Sequence, residues 1–243
     1  METYAQIKNN LKALRLGAMF ENIELRIKEA VDSKMSFSDL LLILTQDEVD
    51  KRKQKKKELA IKKACLGNYK HIVEFDFNFN PGINRQKIMD FMTCNFIRRS
   101  ENIIFAGPAG VGKTFLAKAI AYESCCKGFK TLFTRTEKML ETIYSGKADG
   151  TYNKKLDSFI KPDLLVLDDW GMLAFSNQFL NILNEIVSER YENGPIIITS
   201  NRPVENWDEL FSEPVISSAL LDRIFHNSHI IKMNGKSYRR RLK

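Results

Sequence analysis

The sequence predicts an α/β fold: a parallel sheet flanked by helices, preceded by a small all-helical N-terminal region. Three observations carry that reading. Asn102-Ile103-Ile104-Phe105-Ala106, Leu164-Leu165-Val166-Leu167 and Pro195-Ile196-Ile197-Ile198-Thr199 are short, near-continuous apolar runs, the pattern of strands buried on both faces. Segments with apolar residues at helical spacing separate them, which favours parallel pairing through helical crossovers. After the first run comes Gly107-Pro108-Ala109-Gly110-Val111-Gly112-Lys113-Thr114, which meets G-x-x-x-x-G-K-[ST] at every fixed position. A strand before it and a helix from Phe115 onward give the strand–loop–helix setting that this loop requires.

Taken along the chain, residues 3–66 read as helical. Ile7, Leu11, Leu14, Leu16 and Met19 recur at helical intervals, Leu25, Ile27, Ala30 and Val31 continue the pattern, and Ser36-Phe37-Ser38-Asp39 is a cap before Leu40–Leu44. Gly67-Asn68 closes this region, so the expected division is a helical domain over 1–66, a linker over 67–83 and a nucleotide-binding domain over 84–243 with a basic C-terminal tail. The linker carries Phe75, Phe77 and Phe79; these rings either anchor it to a core or form one wall of a base pocket, the role assigned to Phe77. A helix is expected over about 84–99. Strands follow at 131–134, 164–167, 195–199 and 230–233, with helices at 136–146 and 176–192 between them.

The chain has 243 residues, and no apolar run reaches the length of a membrane span. Met1-Glu2-Thr3-Tyr4 leads into polar sequence without a signal-peptide pattern. Cys65, Cys94, Cys125 and Cys126 form no C-x-x-C, and His71, His226 and His229 provide no zinc set, so the expectation is reduced thiols in a cytoplasmic protein. The net charge of +8 is unevenly spread. Residues 1–70 hold 15 Lys/Arg against 10 Asp/Glu, residues 232–243 hold 6 basic and no acidic residues, and residues 71–231 are left at −3. Basic ends on a near-neutral middle point to a polyanion such as nucleic acid. The densest tract is Lys51, Arg52, Lys53, Lys55, Lys56 and Lys57, which is either a solvated helix face or a phosphate-facing surface. With no base-reading motif evident, DNA contact is expected to be largely sequence-independent.

The chemistry concentrates around the glycine-rich loop. Its backbone N–H groups form a nest for phosphate oxygens, and a helix starting there adds its positive end. Lys113 is expected to reach the β- and γ-phosphates, Thr114 to ligate Mg²⁺, and Phe115 to border the loop. Asp168 and Asp169 end a buried strand, where paired carboxylates are costly without a cation nearby. Asp168 is expected to hold the metal; Asp169 either activates the attacking water or caps the turn before Gly171. Asn201 ends the Ile196–Thr199 run, either as a γ-phosphate sensor or in an Asx turn before Pro203. Arg223 either pairs locally or projects into a neighbouring subunit's nucleotide, and Arg239 either touches phosphate or belongs to the basic tail.

Together these features resemble the AAA+ ATPases, and within them the IstB/DnaC-type branch. The carriers are GPAGVGKTFLAKAIA at 107–121, DLLVLDDWG at 163–171, IIITSNRP at 196–203, FDFNF at 75–79 and the late Leu220-Leu221-Asp222-Arg223. Asp-Asp rather than Asp-Glu after the strand is typical of that branch. The resemblance covers the whole chain and is nearest to IstB-like insertion-sequence ATP-binding proteins. It implies a P-loop NTPase of AAA+ type that binds ATP and Mg²⁺ and hydrolyses ATP slowly, under stimulation by DNA or a partner. It further implies homo-oligomers on duplex DNA with ATP at subunit interfaces, and recruitment of a transposase. Asp168 and Asp169 become the metal and catalytic acids, Asn201 the first sensor and Arg223 the arginine finger. The sequence beyond the last strand is too short for the C-terminal helical lid of many AAA+ proteins, which weakens a second-sensor role for Arg239. A replicative helicase loader is the alternative; a small-molecule kinase fits less well, without an acceptor pocket or an Arg-bearing lid.

Overall fold

The computed structural model describes residues 2–69 and 71–240; the end of the basic tail, 241–243, lies outside the described residues. The chain forms two compact units, Met1–Leu59 and Ala60–Lys243.

The first unit is helical: α1 (Glu2–Ala13), α2 (Gly17–Asp32) and most of α3 (Phe37–Lys63). Its core is small, with Leu11, Ile23 and Leu44 buried among Tyr4, Leu16, Met19 and Phe20. Polar bonds supplement it. Glu48 is buried and accepts from Ala18 N at 2.7 Å and from Arg52 Nε at 2.8 Å. Arg26 grips Asp47 through two parallel bonds of 2.9 Å, the strong bidentate form. These pairs hold the Asp47 and Glu48 carboxyls below their ordinary range, the Glu48 bonds outweighing its burial.

The second unit begins inside α3, not at residue 66, because Ala64 and Leu66 are buried in its core and Ala60 and Ile61 pack on that core. It contains α4 (Arg85–Met92), α5 (Asn95–Arg98), β1 (Asn102–Ala106), α6 (Lys113–Cys126), β2 (Thr131–Arg135), α7 (Thr136–Asp149), α8 (Tyr152–Ile160), β3 (Leu164–Trp170), α9 (Asn177–Arg190), β4 (Ile196–Ser200), α10 (Pro214–Phe225) and β5 (Ser228–Lys232). The expected 84–99 helix is broken at Cys94, whose φ of 62° is left-handed. Among the described residues only a single 3₁₀ turn, Tyr238–Arg240, follows β5.

All five strands are parallel, in the order β2-β3-β4-β1-β5. Side-chain alternation sorts the apolar runs into two layers. Ile103, Phe105, Leu164, Val166 and Ile197 face α6, with Leu116 and Ile120 among their neighbours. Ile104, Leu165, Leu167, Ile196 and Ile198 face α7, α9 and α10. Both faces are thus dry, which is why the runs are continuous rather than alternating. The central strands β1 and β4 end side by side, and Gly107 N donates to Ser200 O at 3.1 Å. In open parallel sheets the crevice beyond the strands' carboxyl ends is where ligands bind.

At the opposite, amino edge a single buried cation holds the loops together. Arg190 is 3% exposed and donates to the carbonyls of Phe159 (3.3 Å), Ile160 (2.7 Å), Pro162 (2.8 Å) and Pro195 (2.9 Å). Burial pushes its guanidinium down to about 10. Replacing it by leucine removes donors from four inward-facing carbonyls. Arg190→Leu is expected to lower the unfolding free energy by about 2–4 kcal/mol, read from urea denaturation.

Candidate nucleotide site

The loop after β1 is shaped by its glycines. Gly112 has φ 105°, and a Cβ there would fall 2.6 Å from the Phe75 ring, so neither the backbone nor the neighbouring linker admits a side chain. α6 opens at Lys113, immediately after Gly112, and its first-turn N–H groups have no partners within the helix. An anion is the natural complement to such a turn.

Lys113 ties the loop to the sheet. Its side chain is buried, and Nζ donates to Gly107 O (2.7 Å), Pro108 O (2.8 Å) and Asn201 Oδ1 (2.7 Å). Burial lowers its pKa to about 8, against the pull of the Asp168 and Asp169 carboxylates. Asp168 is buried at the end of the Leu164–Leu167 run. Its Oδ1 accepts from Thr114 Oγ1 at 2.8 Å and from Thr199 Oγ1 at 2.5 Å. Thr114 and Asp168 are therefore adjacent, as ligation of one ion would need. Among the described residues no cluster of three or more His, Cys, Asp or Glu could hold a metal alone. One carboxylate and one hydroxyl suit Mg²⁺, which takes its other ligands from phosphates and water.

Asp169 is set apart from Asp168 by a β-bulge. The β3–β4 register pairs Leu167 with Ile198 and Trp170 with Ser200, so one extra residue lies on β3 between those pairs. Asp169 has φ 58°, a left-handed conformation that Asp tolerates better than most residues. Its backbone N–H donates to Thr199 Oγ1 at 3.2 Å, while its Oδ2 is 3.6 Å from Arg135 Nε. Burial and the Asp168 charge raise its carboxyl above the ordinary range; Arg135, Lys113 and Arg239 oppose that shift.

A cleft of about 330 Å³ unites residues 109–115, Asp169 and Asn201 with Phe75, Phe79, Asn80, Tyr238 and Arg239. Arg239 thus belongs to the cleft wall. The linker rings on the cleft are Phe75 and Phe79, not Phe77. Phe77 packs edge-on against Phe75 at 4.8 Å, with Arg85 over its ring at 5.7 Å. Reading the sequence also missed Thr199, Arg135, Asn80 and Tyr238. Thr199 was visible as the polar end of a buried run; Arg135 comes alongside only through the β2–β3 register, which pairs it with Asp168.

Arg223 is elsewhere. It lines a pocket at the amino edge of the sheet with Asn102 and Ile196, and Nη1 lies 3.3 Å from Asn184 Oδ1 and from Ala219 O. In the basic tract, Lys51 pairs with Glu21, Arg52 with Glu48 (2.8 Å) and Lys53 with Asp50 (3.9 Å). Lys55 and Lys56 are exposed and have no ion pair among the described residues.

A five-stranded parallel sheet in this order, with a phosphate loop after its inner strand β1 and paired acids near the end of β3, defines a P-loop ATP-binding protein of the AAA+ type. The chain belongs to the family of IstB-like ATP-binding proteins, which it matches over residues 9–243. A protein of Bacillus thuringiensis named as the ATP-binding protein of insertion sequence IS232 is 32% identical, over 98% of this chain and 95% of its own. The corresponding IS5376 protein of Geobacillus stearothermophilus is 34% identical, over 95% and 92%. Among solved structures, DnaI superposes with a TM-score of 0.59 at 26% identity, covering 68% of this chain and 90% of its own. The DnaC helicase loader superposes with a TM-score of 0.56 at 23% identity over 70% and 97%, a likeness of fold. No helix among the described residues is long and apolar enough to cross a membrane.

The lowered Lys113 pKa makes nucleotide affinity depend on pH. Above pH of about 8 the unliganded Lys113 loses its proton, whereas a triphosphate bound beside it is expected to hold that proton in place. Binding then takes up a proton and weakens as pH rises. ATP affinity is expected to fall by up to about tenfold per pH unit above the inflection. Lys113→Met is expected to bind more weakly at every pH without that inflection, both read by fluorescent-nucleotide titration.

Proposed function

We propose that this protein is an ATP-hydrolysing transposition helper that assembles on duplex DNA and recruits or stimulates a transposase. One observation carries the assembly: Arg223 sits at the amino edge of the sheet, whereas the cleft of the same chain opens at the carboxyl edge. Its guanidinium can serve a nucleotide only in a neighbouring copy, which makes a head-to-tail assembly with ATP between subunits the natural arrangement.

In that arrangement each residue has a task. Residues 107–115 and Lys113 hold the phosphates, Asn201 reports the γ-phosphate to β4, and Asp169 takes the proton of the attacking water. The raised Asp169 pKa strengthens it as a base. Thr114 and Asp168 would hold Mg²⁺, which would offset the negative charge that develops on the transferred phosphate. Arg223 of the next subunit stabilises the same charge. The exposed Lys55 and Lys56, with the basic C-terminal segment, fit a duplex backbone without reading its sequence.

The fold shared with DnaI and DnaC keeps a helicase loader as the second reading. Likeness to insertion-sequence proteins over nearly the whole chain favours the transposition helper. Co-purification with a hexameric helicase rather than a transposase would reverse that preference.

Three variants test the catalytic assignment. Lys113→Ala is expected to abolish ATP-dependent assembly on DNA, seen by light scattering. Arg223→Ala and Asp169→Asn are each expected to lose ATP turnover by about 100-fold or more, and their mixture to regain activity that neither has alone. An inactive mixture of well-assembled variants refutes the shared site.

Salt dependence tests the DNA surface. Replacing Lys55 and Lys56 by alanine is expected to lower the slope of log affinity against log salt by about 2, measured by anisotropy on a duplex. An unchanged slope moves the contact to the C-terminal basic segment.

A further inference from the structure

The pocket that holds Arg223 carries more positive charge than its own acids balance. It measures about 250 Å³, and four arginines line it: Arg98, Arg99, Arg190 and Arg223. Among the described residues, Glu192 brings the one carboxylate on that lining. Two of the arginines are already engaged. Arg190 is committed to its four carbonyls, and Arg99 Nη2 donates to Glu101 Oε2 at 2.9 Å. Arg223 meets only neutral oxygens, and the exposed Arg98 guanidinium has no partner among the described residues. Like charges converge on a recess at a cost unless an anion enters it. The two available guanidiniums are also fixed relative to each other. Arg98 ends α5, and Asn102 opens β1 close behind it. Asn102 accepts from Ile196 N through Oδ1 at 2.8 Å and donates from Nδ2 to Ile224 O at 3.0 Å, next to Arg223. Asn227, just past α10, donates from Nδ2 to Arg99 O at 3.4 Å, and its carbonyl accepts from Asn102 N at 3.0 Å. The turn carrying Arg98 and the helix end carrying Arg223 are thereby cross-linked on one edge of the sheet.

We propose that Arg98 acts beside Arg223 as a second guanidinium on the triphosphate held by the adjoining copy. This deepens the shared-site reading and rests on it. Within the cleft's own chain, Lys113 and Arg239 are the cations on the lining, and a triphosphate brings several negative charges. A guanidinium presents a planar fork that bonds two phosphate oxygens at once. Two forks on one cross-linked edge can meet neighbouring phosphate oxygens without ordering either carrier anew. Arg98 then matters only where two copies adjoin, and an isolated chain binds ATP without it.

The test uses the full chain with duplex DNA and follows ATP turnover in Arg98→Ala, Arg98→Lys and Arg223→Ala, alone and in mixtures. Arg98→Ala is expected to lose turnover by about tenfold, and Arg98→Lys by less, since lysine keeps the charge but not the fork. Diluted until unassembled, Arg98→Ala is expected to bind ATP as the wild type does. Excess Asp169→Asn brings intact amino edges to the Arg98→Ala clefts, so turnover per Arg98→Ala chain is expected to return close to the wild-type value. Arg98→Ala mixed with Arg223→Ala is expected to stay no more active than Arg98→Ala alone, because both lack a group on the same edge. Wild-type turnover in Arg98→Ala beside an inactive Arg223→Ala overturns the proposal. So does a loss that excess Asp169→Asn leaves unrepaired, which places the fault within one chain. Weaker duplex binding with unchanged turnover per assembled chain also overturns it and makes Arg98 a DNA contact. If Arg98→Ala does not fold, Arg98→Gln, which keeps the stem, is read in its place with the same outcomes. Full turnover in both Arg98→Ala and Arg223→Ala would instead remove the shared-site reading beneath it.

Discussion

The second unit is organised around a charge-balanced seam at the carboxyl edge of its sheet, and the Lys113 amine is the centre of that seam. Taking an ammonium out of water is expensive unless acceptors surround it. Gly107 and Pro108 supply two carbonyls from the loop, and Asn201 supplies a third acceptor from the end of β4. The glycine-rich loop and β4 are thereby one mechanical object. Across the seam, Asp168 is satisfied by the hydroxyls of Thr114 and Thr199, so its carboxylate joins α6 to β4 as the lysine does. A ligand that draws Lys113 or Thr114 toward itself must loosen these bonds, and β4 feels the change directly.

The sequence was most informative where one physical demand acts alone. Strands buried on both faces must be apolar throughout, which made β1, β3 and β4 readable. The loop's glycines and Lys-Thr pair answer to phosphate geometry and little else. Reading failed where tertiary context decides. α8 is not legible because Tyr152–Ile160 is short and rich in polar residues, with only Phe159 buried. The break before α5 rests on a left-handed Cys94, a residue type with no preference that would announce it. Three phenylalanines in FDFNF look equivalent as letters; the path of the linker turns Phe75 and Phe79 toward the cleft and Phe77 onto Arg85. The boundary at residue 66 followed a turn signal at Gly67, whereas packing places Ala64 and Leu66 within the second core.

The paired acids illustrate how one irregularity gives two neighbouring carboxylates different environments. In an unbroken strand, neighbouring residues face opposite sides of the sheet. Here the bulge lets Asp168 remain among the threonines while Asp169 borders the cleft beside Arg135 and Asn201. Asp168 sits between hydroxyl donors, whereas burial and its neighbour's charge raise the Asp169 carboxyl against the opposing pull of Arg135 at 3.6 Å, Lys113 and Arg239.

The left-handed backbone at Asp169 also governs which replacements the bulge accepts without being deformed. Asparagine shares the local hydrogen-bonding that makes this conformation tolerable, whereas alanine, glutamine or a β-branched residue would strain the bulge and disturb the Thr199 bond that supports it. Glycine would relax the chain, but it would also unlock it. For trapping the proposed nucleotide-loaded assembly, the amide isostere is therefore the replacement whose phenotype would report on the proposed chemistry rather than on a collapsed scaffold.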